Sequence, residues 1–173
     1  PLAARRLLSG WPVVHGMHTV LEALARWAPH ARSHCAQLQA DFTRPINVDD
    51  TVRFAATSRD GGVCLTAAVE GQVHMRLMVL HAPVAASSPT LPEGSILALS
   101  PDPLDNAPAS WLGTTHALPP VVGGLPVAER VADWLGWPAV AGLGQLSALV
   151  GMACPGLHSI FSSFDVQPGR VDE

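Results

Sequence analysis

Residues able to do chemistry are densest in Pro12-Val-Val-His15-Gly16-Met17-His18. Two histidines three positions apart can reach one site from the first turn of a helix, as base, orienter or metal ligand. Gly16 brings something different. The first N–H groups of a helix have no acceptor within it, and a residue without a Cβ lets another molecule come close to them. The helix dipole adds attraction for developing negative charge, so the Gly16 amide can serve as half of an oxyanion hole for a thioester carbonyl. The competing reading is a tight turn that merely needs glycine. Pro12 and Met17 belong to the same stretch and are expected to line it.

Other groups carry weaker signals. His30 and His34 have i, i+4 ligand spacing if they lie on a helix, but no partner motif accompanies them. Cys154, just ahead of Gly156 and His158, would have a lowered thiol pKa at a helix N-terminus, and a small core cysteine is the alternative. Glu22 can be drawn as a general base or nucleophile, against an ordinary ion pair with Arg26 at i+4. The chain has no G-x-S-x-G, H-E-x-x-H or C-x-x-C run, which removes hydrolase-elbow, zincin and thioredoxin chemistry. Gly142-Leu-Gly-Gln-Leu-Ser147 lacks the third glycine and the preceding strand of a dinucleotide fingerprint.

The elements that must position these groups follow from periodicity. Met17, Val20, Leu21, Leu24 and Trp27 recur at helical spacing, while His18, Glu22 and Arg26 form a polar stripe at i, i+4, i+8. The spacing predicts a helix from Gly16 to about Trp27, stopped by Pro29. Ahead of it, residues 1–9 read as a short helix. Ala36–Thr43, Thr51–Ser58, Val63–Glu70 and Gln72–His81 alternate as strands, with Leu38, Ala40 and Phe42 inward in the first. Arg59-Asp60-Gly61-Gly62 is a hairpin signal, and Gly71 marks a bulge or a tight turn. From Pro83 to about Leu125 proline, serine and alanine dominate and periodicity fades. Pro126–Trp137 regains a helical pattern, with proline in its first turn. One helix followed by hairpin-linked strands predicts an α+β layer in which an antiparallel sheet wraps a central helix.

Composition excludes several classes. Hydrophobic residues make up 48% and charged residues 14% of the 173, enough for a real core. A net charge of −4 without a basic run leaves no nucleic-acid footprint. Each apolar run is too short to span a membrane, and no signal peptide is read. All ten basic residues are arginine, and lysine and tyrosine are absent. That removes Schiff-base chemistry, a P-loop lysine and a Tyr/Lys oxidoreductase pair. Cys35, Cys64 and Cys154 at unrelated spacings suggest reduced thiols and a cytoplasmic setting.

A short repeat closes the reading. Gly16-Met-His-Thr-Val-Leu21 matches Gly156-Leu-His-Ser-Ile-Phe161 position by position, with His18 and His158 identical. A second helix is expected at about 156–164. Both ends are expected to be cuts through a longer polypeptide.

PLAARRLLSGWPVVHGMHTVLEALARW resembles the central-helix segment of MaoC-like acyl dehydratases, the (R)-specific enoyl-thioester hydratases of the hotdog fold. ADFTRPINVDDTVRF is similar to that family's next strand pair, and Pro155-Gly-Leu-His-Ser-Ile-Phe161 resembles the equivalent helix of double-hotdog members. The resemblance implies a hotdog unit over 1–82, a Pro/Ala/Ser-rich connection over 83–144 and the start of a second hotdog unit over 145–173. It implies an acyl-CoA or acyl-carrier-protein thioester at the interface of two hotdog units, in a homodimer or a double hotdog, and no cofactor, metal, nucleic acid or membrane. Gly16 would hold the thioester carbonyl, with His15 and His18 as site residues and Pro12, Met17, Gly156 and His158 lining the acyl compound. The family's acid/base pair sits in an Asp-x-Asn-Pro-x-His run that this chain lacks. The expected reaction is reversible dehydration of a 3-hydroxyacyl thioester. A Glu22 thioesterase and a non-catalytic acyl-binding or dimer-completing unit are the alternatives.

Overall fold

The structure is a computed structural model that describes residues 5–6, 12–31, 33–81, 95–96, 116–117, 126–150 and 162–167. In chain order its elements begin with two short antiparallel strands, β1 (Arg5–Arg6) and β2 (Pro12–Val13). Arg5 and Arg6 are therefore extended where a helix is expected, because they hydrogen-bond to the segment leading into the main helix. That helix, α1, runs Gly16–Trp27, and a 3-10 turn at Ala28–His30 carries Pro29 in its first positions. Pro29 thus tightens the helix end rather than cutting it cleanly, since a proline early in a turn has no N–H to lose there.

Four strands follow: β3 (Gln37–Phe42), β4 (Val52–Arg59), β5 (Gly62–Val69) and β6 (Gln72–Leu80). Then come a parallel pair, β7 (Ser95–Ile96) and β8 (His116–Ala117), two helices, α2 (Pro126–Leu135) and α3 (Trp137–Ala148), and β9 (Ser163–Val166). The main sheet has five strands in the order β4-β5-β6-β3-β9, every neighbour antiparallel.

Both hairpin turns have a sequence cause. Asp60-Gly61 links β4 to β5 with Arg59 opposite Gly62. Glu70-Gly71 links β5 to β6 with both central residues at positive φ, 50° and 79°. Two positive φ values define the type I′ turn, whose twist suits paired strands. Gly71 is therefore in the tight turn. The bulge lies elsewhere: Ala67 pairs with Met75 and Ala68 with Val73, so His74 is the extra residue. Its Nδ1 is 2.8 Å from the Pro45 carbonyl oxygen, which ties the bulge to the β3–β4 loop.

Alternation places one face of the sheet against α1 in cross-strand rows: Val63, Val79, Leu38 and Val166, then Leu65, Leu77, Ala40 and Phe164, then Ala67, Met75 and Phe42. Val20 and Leu24 of α1 are fully buried among them. The other side of α1 is covered too, by Val127 and Val131 of α2 and by Val140 and Leu143 of α3. Thr19, Ala23 and Ala25 are consequently buried, leaving the stripe of His18, Glu22 and Arg26 as the flank least covered. An antiparallel sheet wrapped round a central helix is the hotdog fold, of α+β class.

Two further sequence expectations fail here. The pattern assigned to one helix over 126–137 is broken at Gly136, whose φ of 81° starts a second helix, α3, in a stretch not expected to be helical. Ser163 and Phe164, expected at the end of a helix, are strand residues paired with Asp41 and Ala40. Asp165 accepts hydrogen bonds from Gln37 and Gln39 side chains at 2.8–3.0 Å, which fixes this register. The rest of that expected helix, with Gly156 and His158, lies outside the described residues.

Candidate functional site

The N-terminal end of α1 is built from four directions. From below, His15 is the cap: its backbone is extended (φ −65°, ψ 130°) and its Nδ1 accepts the Met17 N–H at 3.3 Å. An N-cap side chain satisfies one of the free donors of the first turn. The His15 carbonyl takes the His18 N–H at 2.9 Å and the Thr19 N–H at 3.4 Å. Gly16 N–H remains, and it donates to no group among the described residues.

From the sheet side, Phe42 sets the reason for glycine at position 16. A Cβ there would lie 3.0 Å from Phe42 Cε1 and 3.3 Å from Cζ, tighter than carbon atoms ordinarily approach. The bare backbone lets the Phe42 ring lie beside the helix end. Phe164, 6.2 Å away ring to ring, extends this aromatic wall from β9.

The approach to α1 is held by the β3–β4 loop. Val14 N–H donates to Ile46 O at 2.8 Å, Val48 N–H to Pro12 O at 3.1 Å, and Val13 bridges to Asn47. Pro12 is thereby a strand residue whose carbonyl anchors the loop. From the fourth direction, α3 brings Ser147, whose Oγ is 3.4 Å from both ring nitrogens of His15.

The sequence-derived residues thus divide. His15 and Gly16 meet at one place, with Ser147, Phe42 and Phe164. His18 is half-buried one turn on, on the stripe with Glu22, and its ring makes no hydrogen bond among the described residues. Met17 is 3% exposed and packs into the core, and its backbone N–H donates to His15 Nδ1. Ser147 was missed. It sits in the stretch weighed only as a poor dinucleotide fingerprint, and nothing local marks a residue that becomes a neighbour of His15 by packing.

At the opposite end of α1 Arg26 is exposed and pairs within its own helix. Glu22 Oε2 lies 3.6 Å from Arg26 Nε, and the Arg26 guanidinium stacks 4.9 Å over the Phe54 ring. His30 ends the 3-10 turn and His34 lies beyond it, so the i, i+4 ligand geometry does not form. Among the described residues no three His, Cys, Asp or Glu side chains cluster as a metal site. Cys35 donates to Gln37 O at 3.5 Å, and burial pushes its thiol up to about 11, so it is held protonated near neutral pH.

No protein-family model and no curated protein matches the chain. Among solved structures it is similar to the tesB protein of Mycobacterium avium subspecies paratuberculosis, with 18% identity, a TM-score of 0.32, and coverage of 45% of this chain and 37% of that one. A conserved protein of unknown function with hot dog fold from Alicyclobacillus acidocaldarius is 20% identical, with a TM-score of 0.33 over 72% of this chain and 42% of its own. HtdX from Mycobacterium tuberculosis is 15% identical, with a TM-score of 0.35 over 87% of this chain and 69% of its own. The chain thus spans less than half the length of the first two. At these scores the likenesses carry no argument, and the fold rests on the chain's own topology. No described helix is long and apolar enough to cross a membrane.

Proposed function

We propose that the chain binds an acyl thioester, on CoA or an acyl carrier protein, at the N-terminal end of α1 and takes part in the reversible dehydration of 3-hydroxyacyl thioesters. The observation that carries this reading is the Gly16 N–H, without an acceptor among the described residues, beside the His15 ring and the Phe42–Phe164 wall. Removing a proton next to a thioester carbonyl puts negative charge on that oxygen, and a pre-placed amide donor stabilises it. The aromatic wall gives the acyl chain an apolar surface. In this reading the chain is MaoC-like, and the Asp/His pair of that family, missing from these residues, comes from outside them.

A second hotdog unit is the partner this reading needs. The β4 edge of the sheet pairs with no strand among the described residues, and Ala56 and Ser58, on the face toward α1, are exposed. A thioesterase working through Glu22 fits less well, because Arg26 engages that carboxylate.

The test uses the purified chain with short and medium 3-hydroxyacyl and 2-enoyl thioesters on both carriers. Mass spectrometry follows gain or loss of one water, and a thiol reagent follows free thiol. Water exchange without thiol release is expected once a chain carrying the acid/base run is supplied. Thiol release abolished by Glu22→Gln would replace this reading with the thioesterase.

A further inference from the structure

The β3–β4 loop, residues 43–51, is fastened to two separate parts of the fold. At its start it is tied to the bulge in β6. Thr43 N–H donates to His74 O at 2.9 Å, Thr43 Oγ1 donates to Val73 O at 2.9 Å, and the Arg44 guanidinium reaches the Gln72 side chain. Farther along it holds the chain entering α1: Val14 N–H donates to Ile46 O at 2.8 Å, Val48 N–H to Pro12 O at 3.1 Å, and Val13 bridges to Asn47. Asp50 closes that part into a turn, its Oδ2 accepting the Asn47 N–H at 2.7 Å and its own N–H donating to Asn47 O at 3.2 Å. Between the two fastenings lies Pro45, whose carbonyl oxygen is 2.8 Å from His74 Nδ1. A carbonyl oxygen only accepts, so Nδ1 carries the proton, and the neutral ring is its Nδ1–H form with Nε2 bare. His74 is the residue that the bulge inserts, and an inserted residue re-aims a side chain.

We propose that the β3–β4 loop is a strap and that His74 is its latch. The Nδ1–H of His74 holds the Pro45 carbonyl, and the strap so placed lets Ile46, Asn47 and Val48 set the segment Pro12–Val14 from which α1 starts. His74 is a positioning residue that acts through the loop backbone. A surface loop held by few bonds opens locally at small cost, so one bond at its midpoint changes how often it is in place. The rival holder is the Ile46 side chain, which is 5% exposed and packs in the core. The inference goes beyond the thioester reading and stands apart from it, because every group in it belongs to the chain and its readout needs no ligand.

The experiment combines nitrogen-15 NMR of the histidine rings with amide hydrogen exchange, both on the intact chain. At about pH 8.5, where a histidine ring is ordinarily neutral, the His74 ring should show a protonated Nδ1 and a bare Nε2, its signals assigned by their loss in His74→Asn. His74→Ala should speed exchange of the Val14 and Val48 amides about 10-fold, the size expected of one lost hydrogen bond, and leave the amides of the β4–β5 pair unchanged. His74→Asn, whose side-chain amide donates from nearly the place of Nδ1, should restore most of the protection. A ring protonated on Nε2 overturns the proposal. Val14 and Val48 exchange that His74→Ala leaves unchanged also overturns it and gives the strap to Ile46. Faster exchange spread evenly over the sheet, or protection that His74→Asn does not restore, reduces His74 to a residue of general stability and overturns the latch. Where His74→Ala does not fold, the wild-type ring form and the protection in His74→Asn decide, each against the same outcomes.

Discussion

The two ends of α1 are made differently, and the contrast locates the chemistry. At the C-terminal end the helix runs on into a 3-10 turn, with Ala28 N–H donating to Leu24 O and Ala31 N–H to Ala28 O. Around it Arg26 is shared between Glu22 and the Phe54 ring, Trp27 packs on His30 at 5.8 Å, and Trp134 Nε1–H donates to Ser33 O at 3.1 Å. The buried Trp27 Nε1 has no acceptor among the described residues. At the N-terminal end a glycine faces an aromatic ring and its amide is unspent. Both ends hang on the same buried middle, so what separates them is the local sequence at each terminus.

That middle is where the comparison breaks most completely. Leu24 is fully buried between the sheet and α2, and Leu24→Ala is expected to cost about 2–5 kcal/mol in urea unfolding, loosening both ends at once. A loss under about 1 kcal/mol would mean that the helix is not clamped between two layers.

Gly16→Ala should separate function from stability. The new Cβ pushes the outer edge of the Phe42 ring, which can swing. Stability is therefore expected to stay within about 1 kcal/mol of wild type, while thioester turnover or binding falls about 100-fold because the carbonyl is displaced from the amide. Equal losses in both would reduce Gly16 to a packing residue.

Trp27→Phe sharpens the other end. An unsatisfied buried donor costs about 1–3 kcal/mol, which offsets the apolar area that the larger ring buries. Thermal unfolding should show this variant within about 1 kcal/mol of wild type or more stable; a loss above about 2 kcal/mol would reveal an acceptor for the indole N–H. The smallest effect is expected from Glu22→Gln, which removes an i, i+4 pair with an exposed arginine and should cost under about 0.5 kcal/mol, with thioester binding unchanged.

How much of this was legible beforehand follows the range of the interactions. α1 and the four hairpin-linked strands announce themselves through periods of 3.6 and 2, and Asp60-Gly61 through turn chemistry, while at Gly71 a bulge and a tight turn both fit the sequence. The Gly16 amide follows from the helix boundary alone. α3 gave no such sign: Trp137–Ala148 is apolar or small on all sides, so it has no polar face to reveal a helical period. β9 is four residues long and owes its state to Gln37 and Gln39, more than 120 residues earlier in the chain. Ser147 became part of the site only because α2 and α3 pack over α1, a contact that no local pattern encodes. The polar stripe of His18, Glu22 and Arg26 was legible from its i, i+4, i+8 spacing, whereas the α2–α3 layer over the rest of α1 was not.

The central claim is that the N-terminal end of α1, and not its C-terminal end, receives a thioester carbonyl. Amide and indole nitrogen-15 spectra of the chain, titrated with a 2-enoyl-CoA, test it most directly. The account predicts that the Gly16 amide moves most, with Met17 and the His15 ring, while Glu22, Arg26 and the Trp27 indole stay in place. Movement centred on Glu22 and Arg26, or a Gly16 amide that never shifts at saturating thioester, would contradict it.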